Sequence, residues 1–159
     1  MPTSGFLLVD KPAGITSHDV IDKLRRITGE RRIGHAGTLD PFATGLLIVA
    51  VGREATKEIS KYVGMDKTYE AEFVLGATTE TLDPEGEVIV DSTTPRLLDS
   101  TTTTAAMQSL TGDILQIPPM YSAIKKAGKK MYELARQGKT VELEPRPVTI
   151  YEFALVEQV

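Results

Sequence analysis

The 159-residue sequence contains no cysteine, and only two of its residues are histidines. The absence of cysteine excludes disulfide bonds and thiolate metal sites and is compatible with a reducing cytoplasm. Long hydrophobic runs are also lacking: the longest, residues 46–51, is far shorter than the roughly 20 apolar residues that cross a bilayer. The N-terminal stretch has neither the basic start nor the long apolar core of a signal peptide. We therefore expect a cytoplasmic protein that makes no membrane contact.

An overall positive charge is missing too, because 22 Asp and Glu residues outweigh 18 Lys and Arg residues. The charges are nevertheless unevenly distributed. Residues 11–32 include six basic and three acidic side chains, and residues 124–147 include seven basic and three acidic side chains. Two basic segments on an acidic body can form a positive surface for nucleic acid, although solvated helix faces would show the same pattern. Charge alone leaves both interpretations open.

Hydrophobic periodicity predicts strands and helices in the first half of the chain. The runs "GFLLVD" and "LLIVAV" are typical of strands. Between them we expect a helix that begins at Thr16 or Ser17, with Asp19 in capping-box position, and ends at Gly29. The apolar face of this helix comprises four residues at helical spacing: Val20, Ile21, Leu24 and Ile27. The run "EATKEISKYV" fits a short amphipathic helix.

The second half of the chain has weaker signals. "KTYEAEFVLG" alternates like a half-buried strand. Residues 83–104 are rich in Thr, Pro, Asp and Ser, which indicates turns, and residues 102–104 can cap a helix over "AAMQSL" that ends at Gly112. "PVTIYEFALVEQV" alternates like a strand. Because a terminal strand without a partner leaves an open edge, we expect a continuation of the chain, a second polypeptide or self-association there.

The stretch "RRIGHAGTLDPFATG" gathers the residues most capable of chemistry. It lacks the Gly-Lys-Ser/Thr of a phosphate loop, and one His with one Asp supplies too few metal ligands. No Gly-x-Ser-x-Gly elbow accompanies it. Asp40 before Pro41 is a good turn residue, so the residues alone leave open whether Asp40 forms a turn or acts as a reagent.

Four ordered motifs resemble the TruB family of tRNA pseudouridine synthases. They are "GFLLVDKPAGITSHDV", "RRIGHAGTLDPFATGLLIVAVGREATK", "KTYEAEFVLGATTETLDPEGEV" and "GDILQIPPMYSAIKKAGKKMYELARQG". The resemblance runs from Gly5 to about Tyr151. It implies an α+β pseudouridine synthase fold, a mixed and mainly antiparallel sheet flanked by helices, of which about half is present.

The resemblance also implies an activity, the isomerisation of uridine to pseudouridine at position 55 in the T-loop of tRNA. The family's catalytic carboxylate corresponds to Asp40, and the tyrosine of its "K-x-Y" motif corresponds to Tyr69. Since the reaction transfers no group and changes no oxidation state, neither a cofactor nor a metal is expected. Whether the carboxylate attacks the sugar, attacks the base or assists loss of the 2′ proton stays open.

Further residues correspond to the family's substrate-binding elements. His35 matches the histidine that helps hold the everted T-loop, and Lys11 lies in a "DKP" motif expected to position the backbone beside the site. A thumb-like RNA-binding insertion is expected at about residues 115–147. The remaining expected substrate contacts are Gly37, Thr38, Leu39, Lys125, Lys126, Lys129, Lys130 and Arg136.

The sequence departs from the family pattern in one respect. The family's catalytic domain continues into a "SKGTYIR"-like motif and a C-terminal RNA-binding PUA module, and neither is present here. We therefore expect residues 1–159 to be the N-terminal part of the catalytic domain. The alternative function is a catalytically silent module that binds or folds the tRNA T-arm. A protein-interaction domain is less favoured because of the clustered basic segments.

Overall fold

The computed structural model describes residues 4–90, 99–119, 125–126, 129–130 and 143–157. The chain has an α+β fold, as expected, and every described strand pair is antiparallel. It divides into two compact units, Met1–Ala71 and Glu72–Val159. The assignment of the whole chain to one part of a catalytic domain stays a prediction.

The first unit contains a three-stranded sheet with the order β1-β3-β2. The strands are β1 (Gly5–Lys11), β2 (Ile33–Ala36) and β3 (Gly45–Val51), so both strand predictions are confirmed. In the register, Leu7 pairs with Val49 and Lys11 pairs with Gly45. Since side chains alternate across a strand, Lys11 lies on the same sheet face as the buried Leu47 and Val49.

Helix α1 (Ser17–Thr28) packs on that face and closes the core. Thr16 is its N-cap and forms the expected capping box with Asp19, while Gly29 ends the helix in the left-handed conformation with φ of 69°. Val20 and Ile21 are buried and Leu24 is partly buried. The prediction for Ile27 is wrong, because its side chain is 70% exposed.

Two short helices follow β3, where the sequence predicts one amphipathic helix. They are α2 (Arg53–Glu58) and α3 (Ser60–Val63). Ala55 of α2 is buried, and Gly34 of β2 faces this region, since a Cβ there would lie 3.5 Å from the Ile59 side chain. The ring of Phe6 packs on that of Tyr62, with centroids 4.7 Å apart.

The strand predicted over "KTYEAEFVLG" is wrong. Residues 66–74 form no helix or strand. Tyr69 and Phe73, which should share the buried face, are each 70% exposed. Alternation favours a strand only where a neighbouring strand and a core exist, and the described residues provide neither here.

The second unit contains short antiparallel pairs and one longer helix. Strand β4 (Ala77–Thr79) pairs with β5 (Val88–Val90), which lies inside the predicted surface excursion. Strand β6 (Gly112–Gln116) pairs with β9 (Arg146–Ile150). Strands β7 (Lys125–Lys126) and β8 (Lys129–Lys130) pair with each other.

Helix α4 (Ser100–Ser109) begins before the predicted cap at residues 102–104. Its N-cap is Asp99, whose carboxylate accepts a hydrogen bond of 2.7 Å from the Thr102 N–H. Hydrogen bonds from Thr102, and a weaker one from the backbone of Thr101, lower the pKa of the Asp99 carboxyl group. The sequence predicts a cap at residues 102–104 because these threonines directly precede the apolar residues. Asp99 is the N-cap instead, because its backbone is extended and aspartate is a better N-cap residue than threonine.

The predicted C-terminal strand is also shorter than expected, because residues 151–157 form no strand. Among the described residues β9 has β6 as its only neighbour, and association through its other edge stays a prediction. No described helix has the length and apolar character needed to span a membrane.

Candidate active site

The candidate site is the loop of residues 37–44, which joins β2 to β3 and carries Asp40. Gly37 begins it with φ of 100°, a backbone conformation that residues other than glycine rarely adopt. The Ala43 N–H donates to the Asp40 carbonyl oxygen at 3.1 Å, which closes a turn with Pro41 at its second position, where proline is favoured. Asp40 is therefore a turn residue, which leaves its carboxylate free for a second role.

The backbone on both sides of Asp40 is held by Ser17, the first residue of α1, and by Gly14, which lies between β1 and α1. The Ser17 hydroxyl donates to the Leu39 carbonyl oxygen at 3.1 Å and accepts from the Leu39 N–H at 3.0 Å. The Gly14 N–H donates to the Pro41 carbonyl oxygen at 2.8 Å. The loop is thus fixed immediately before and immediately after Asp40.

Lys11 adds a third support. Its side chain is wholly buried, and its ammonium group donates to the carbonyl oxygens of Pro12 at 3.0 Å, Ile15 at 2.7 Å and Pro41 at 3.3 Å. An ammonium group has three donors, and the protein's own backbone accepts all three. This geometry supports the backbone-positioning role expected for the "DKP" motif. The ammonium group thus acts on the loop in the described geometry, and the expected contribution of Lys11 to substrate binding stays a prediction.

Asp40 itself is exposed. Within the described part of the chain its carboxylate makes no hydrogen bond or ion pair. Thr38 is also exposed, and Leu39 is half-buried. The arrangement presents a carboxylate to solvent from a backbone that is held on both sides, which is the geometry required of a group that must meet an external substrate.

His35 lies near the end of β2 and is half-buried. Its Nδ1 hydrogen-bonds the Gly37 carbonyl oxygen. Since a carbonyl only accepts, Nδ1 carries the proton in this contact and Nε2 is the nitrogen left for another partner. The imidazole therefore braces the beginning of the Asp40 loop, and no hydrogen bond joins it to Asp40 among the described residues.

Tyr69 lies in the same compact unit as Asp40. No ring contact or hydrogen bond joins it to the Asp40 loop within the part of the chain that the structure describes. Its exposure leaves both the ring and the hydroxyl accessible. The structure does not bring the two predicted catalytic side chains into contact, and their joint role stays a prediction.

The two basic segments differ in what the structure describes. On α1, Lys23 and Arg26 are exposed, whereas Arg25 is half-buried and pairs with the Asp22 carboxylate at 2.9 Å. In the second segment, the backbone of the four lysines forms β7 and β8. Arg136 and most of the expected thumb lie outside the described residues.

The described residues contain no group of three or more His, Cys, Asp or Glu side chains placed to hold a metal ion. The roles of Ser17 and Gly14 are not evident from the sequence, which indicates Ser17 only as an alternative helix cap. A pattern of residue types carries no signal for a hydrogen bond between residues that are 22 positions apart.

Comparisons with known proteins relate this geometry to a family. Residues 25–159 match the model of the "TruB family pseudouridylate synthase (N terminal domain)". The chain is 48% identical to tRNA pseudouridine synthase B of Geobacillus thermodenitrificans, over 97% of this chain and 51% of the relative. It is 49% identical to the protein of the same name from Streptococcus pneumoniae, over 94% of this chain and 51% of the relative.

A solved structure is also similar. A chain in the crystal structure of a Cbf5-Nop10-Gar1 complex matches with a TM-score of 0.50 and 26% identity, over 76% of this chain and 31% of that chain. This chain spans about half the length of the curated relatives it matches. The family model nevertheless covers most of its residues, including Asp40 and Tyr69. The chain therefore belongs to the TruB family of pseudouridylate synthases.

Proposed function

We propose that this chain supplies the active-site loop of an enzyme that isomerises uridine to pseudouridine in the T-loop of tRNA, at position 55, with Asp40 as the catalytic carboxylate. The observation that carries the proposal is the exposed Asp40 side chain on a loop whose backbone is held on both sides. Membership of the TruB family, and relatives named tRNA pseudouridine synthase B, support the reaction and the substrate class.

The reaction needs one well-placed carboxylate. The bond from C1′ of the ribose to N1 of uracil breaks, the base turns, and C5 bonds to C1′ while the proton on C5 is released and N1 gains one. All other atoms of the nucleotide are retained and no electrons are gained or lost overall. A carboxylate can act as a nucleophile or as a base in such a sequence.

Exposure of Asp40 has a consequence for the substrate. A uridine that is stacked inside an RNA loop cannot reach a carboxylate on a protein surface, so the nucleotide must turn out of its stack. Tyr69, whose ring is accessible, would stack on the extruded uracil, and its hydroxyl would take part in proton transfer. His35, held through Nδ1 by the Gly37 carbonyl, would brace the vacated position in the T-loop.

The T-arm backbone would be bound by basic side chains. Lys125, Lys126, Lys129, Lys130 and Arg136 would contact phosphates, which adds affinity and salt dependence without reading the base. Gly37, Thr38 and Leu39 would contact the substrate beside Asp40. The proposal places the reaction in the cytoplasm, on tRNA, with no cofactor.

The test uses the longest natural polypeptide that contains this chain and a tRNA transcript labelled with tritium at C5 of its uridines. Pseudouridine formation releases this tritium to water. We expect tritium release from the normal transcript. A transcript whose uridine at position 55 is replaced by cytidine should bind equally well and release no tritium above background. Equal binding without release from either transcript would contradict the proposal and identify a T-arm-binding module instead.

A further inference from the structure

Ser17 is one of two polar or charged residues that are fully buried among those the structure describes, the other being Lys11. Its side chain is 2% exposed. The hydroxyl donates to the Leu39 carbonyl oxygen and accepts from the Leu39 N–H. The Ser17 hydroxyl thus satisfies both the N–H and the carbonyl oxygen of Leu39, as a paired residue on a neighbouring antiparallel strand would.

The usual reason for a serine at the beginning of a helix does not apply here. Thr16 is the N-cap of α1, and its capping box with Asp19 is complete. The Ser17 hydroxyl therefore serves another purpose. A buried hydroxyl is unfavourable unless it is hydrogen-bonded, and Leu39 supplies both of its described bonds.

The position of Leu39 explains what this contact does. Its N–H and its carbonyl oxygen belong to the two peptide planes on either side of its Cα. The second of these planes contains the backbone nitrogen of Asp40. Holding both planes therefore fixes the position of the Asp40 backbone nitrogen. The hydrogen bond from the Ala43 N–H to the Asp40 carbonyl oxygen fixes the other end of the Asp40 backbone.

We propose that Ser17 is a positioning residue that aims the Asp40 carboxylate at the substrate by holding the backbone of Leu39. The proposal rests on the proposed function, in which Asp40 is catalytic. A reacting group that is displaced by about 1 Å loses on the order of 100-fold in rate. Since Ser17 itself is buried, its loss should affect the chemical step and leave RNA binding largely unchanged.

The test compares Ser17→Ala with Thr16→Ala in the longest natural polypeptide that contains this chain. Thr16→Ala removes the N-cap of α1 at the adjacent residue and leaves the hydrogen bonds between Ser17 and Leu39 intact. It therefore controls for loss of helix stability. At a temperature where both variants are folded, we expect kcat to fall about 10- to 100-fold in Ser17→Ala, with KM within about threefold of wild type. Thr16→Ala should keep the wild-type kcat.

A second measurement does not depend on activity. Hydrogen exchange at the Leu39 amide should accelerate at least about tenfold in Ser17→Ala and stay unchanged in Thr16→Ala. If Ser17→Ala does not fold, Ser17→Cys is measured instead, because a thiol has similar size and is a weak hydrogen-bonding group. We expect the same direction of change in kcat and exchange.

A wild-type kcat in folded Ser17→Ala or Ser17→Cys would overturn the positioning role, as would an equal fall in kcat in Thr16→Ala. Asp40→Asn in the same assay separates this result from failure of the proposed function. If Asp40→Asn is inactive and Ser17→Ala is fully active, only the positioning role fails. If Asp40→Asn is active, the catalytic role of Asp40 fails, and the role of Ser17 fails with it.

Discussion

Replacing Lys11 with methionine should destabilise the first unit, because it deletes the buried ammonium group and keeps most of the side-chain stem. The Pro41 carbonyl oxygen would retain its bond from the Gly14 N–H, whereas the carbonyl oxygens of Pro12 and Ile15 would lose the described ammonium partner. A buried acceptor without a partner costs roughly 1–3 kcal/mol, but Pro12 is exposed and Ile15 is half-buried, so water replaces part of the lost hydrogen bonding. Removing the ammonium also removes its own desolvation cost, which offsets part of the loss.

The net loss should therefore be about 1–2 kcal/mol in the free energy of unfolding, against the roughly 5–15 kcal/mol of a typical domain. Urea denaturation followed by circular dichroism measures it. With a slope of roughly 1–3 kcal/mol per molar urea, the midpoint should fall by about 0.3–2 M. Lys23→Met, on the exposed face of α1, is the control and should change the free energy by less than about 0.5 kcal/mol. A Lys11→Met protein as stable as this control would refute the role of the three carbonyl contacts.

Three further predictions concern the cap, the loop glycine and the basic segment. Thr16→Ala should lower the free energy of unfolding by about 1 kcal/mol. The Thr16 hydrogen bonds lower the pKa of Asp19 below its ordinary value. These bonds therefore contribute fully to the free energy of unfolding at a pH above the ordinary pKa, and the contribution is lost as the pH falls through the lowered pKa. Urea titrations between about pH 2 and pH 6, roughly the range in which Asp groups titrate, should show this component in wild type and not in Asp19→Asn; identical profiles would contradict it. Gly37→Ala should cost about 1–3 kcal/mol because of its positive φ, whereas Gly64→Ala, at φ of −94° with open space around it, should not; equal effects would show that the loop does not need this conformation. Replacing Lys125, Lys126, Lys129 and Lys130 with Ala should weaken tRNA binding and reduce the log–log salt slope by roughly 0.7–0.9 for each phosphate that is no longer neutralised, while Lys57→Ala with Lys61→Ala should leave the slope unchanged; an unaltered slope in the fourfold variant would place these lysines away from RNA.

The sequence was sufficient where local chemistry and a nearby core agree. Helix α1 has its capping box, its terminal glycine and its buried Val20 and Ile21 as expected. Strands β1 and β3 pair with each other, so the apolar runs that predict them have the partners they require.

The sequence failed where the outcome depends on distant residues. The alternating run around Tyr69 has no described neighbour to pair with and forms no strand. In the site, the position of Asp40 within a turn was recognisable, but the bonds that hold the turn come from Lys11, Gly14 and Ser17. Such bonds depend on how α1 and the loop are packed together, which residue spacing does not determine.

The central claim is that Asp40 is the catalytic carboxylate, and the most direct test is tritium release from C5-tritiated tRNA by Asp40→Asn in the longest natural polypeptide that contains this chain. The amide has nearly the same size as the carboxylate but is neither a nucleophile nor a base. We expect no detectable pseudouridine and a Kd for tRNA within a few-fold of wild type. Turnover by Asp40→Asn close to that of the wild-type protein would contradict the account.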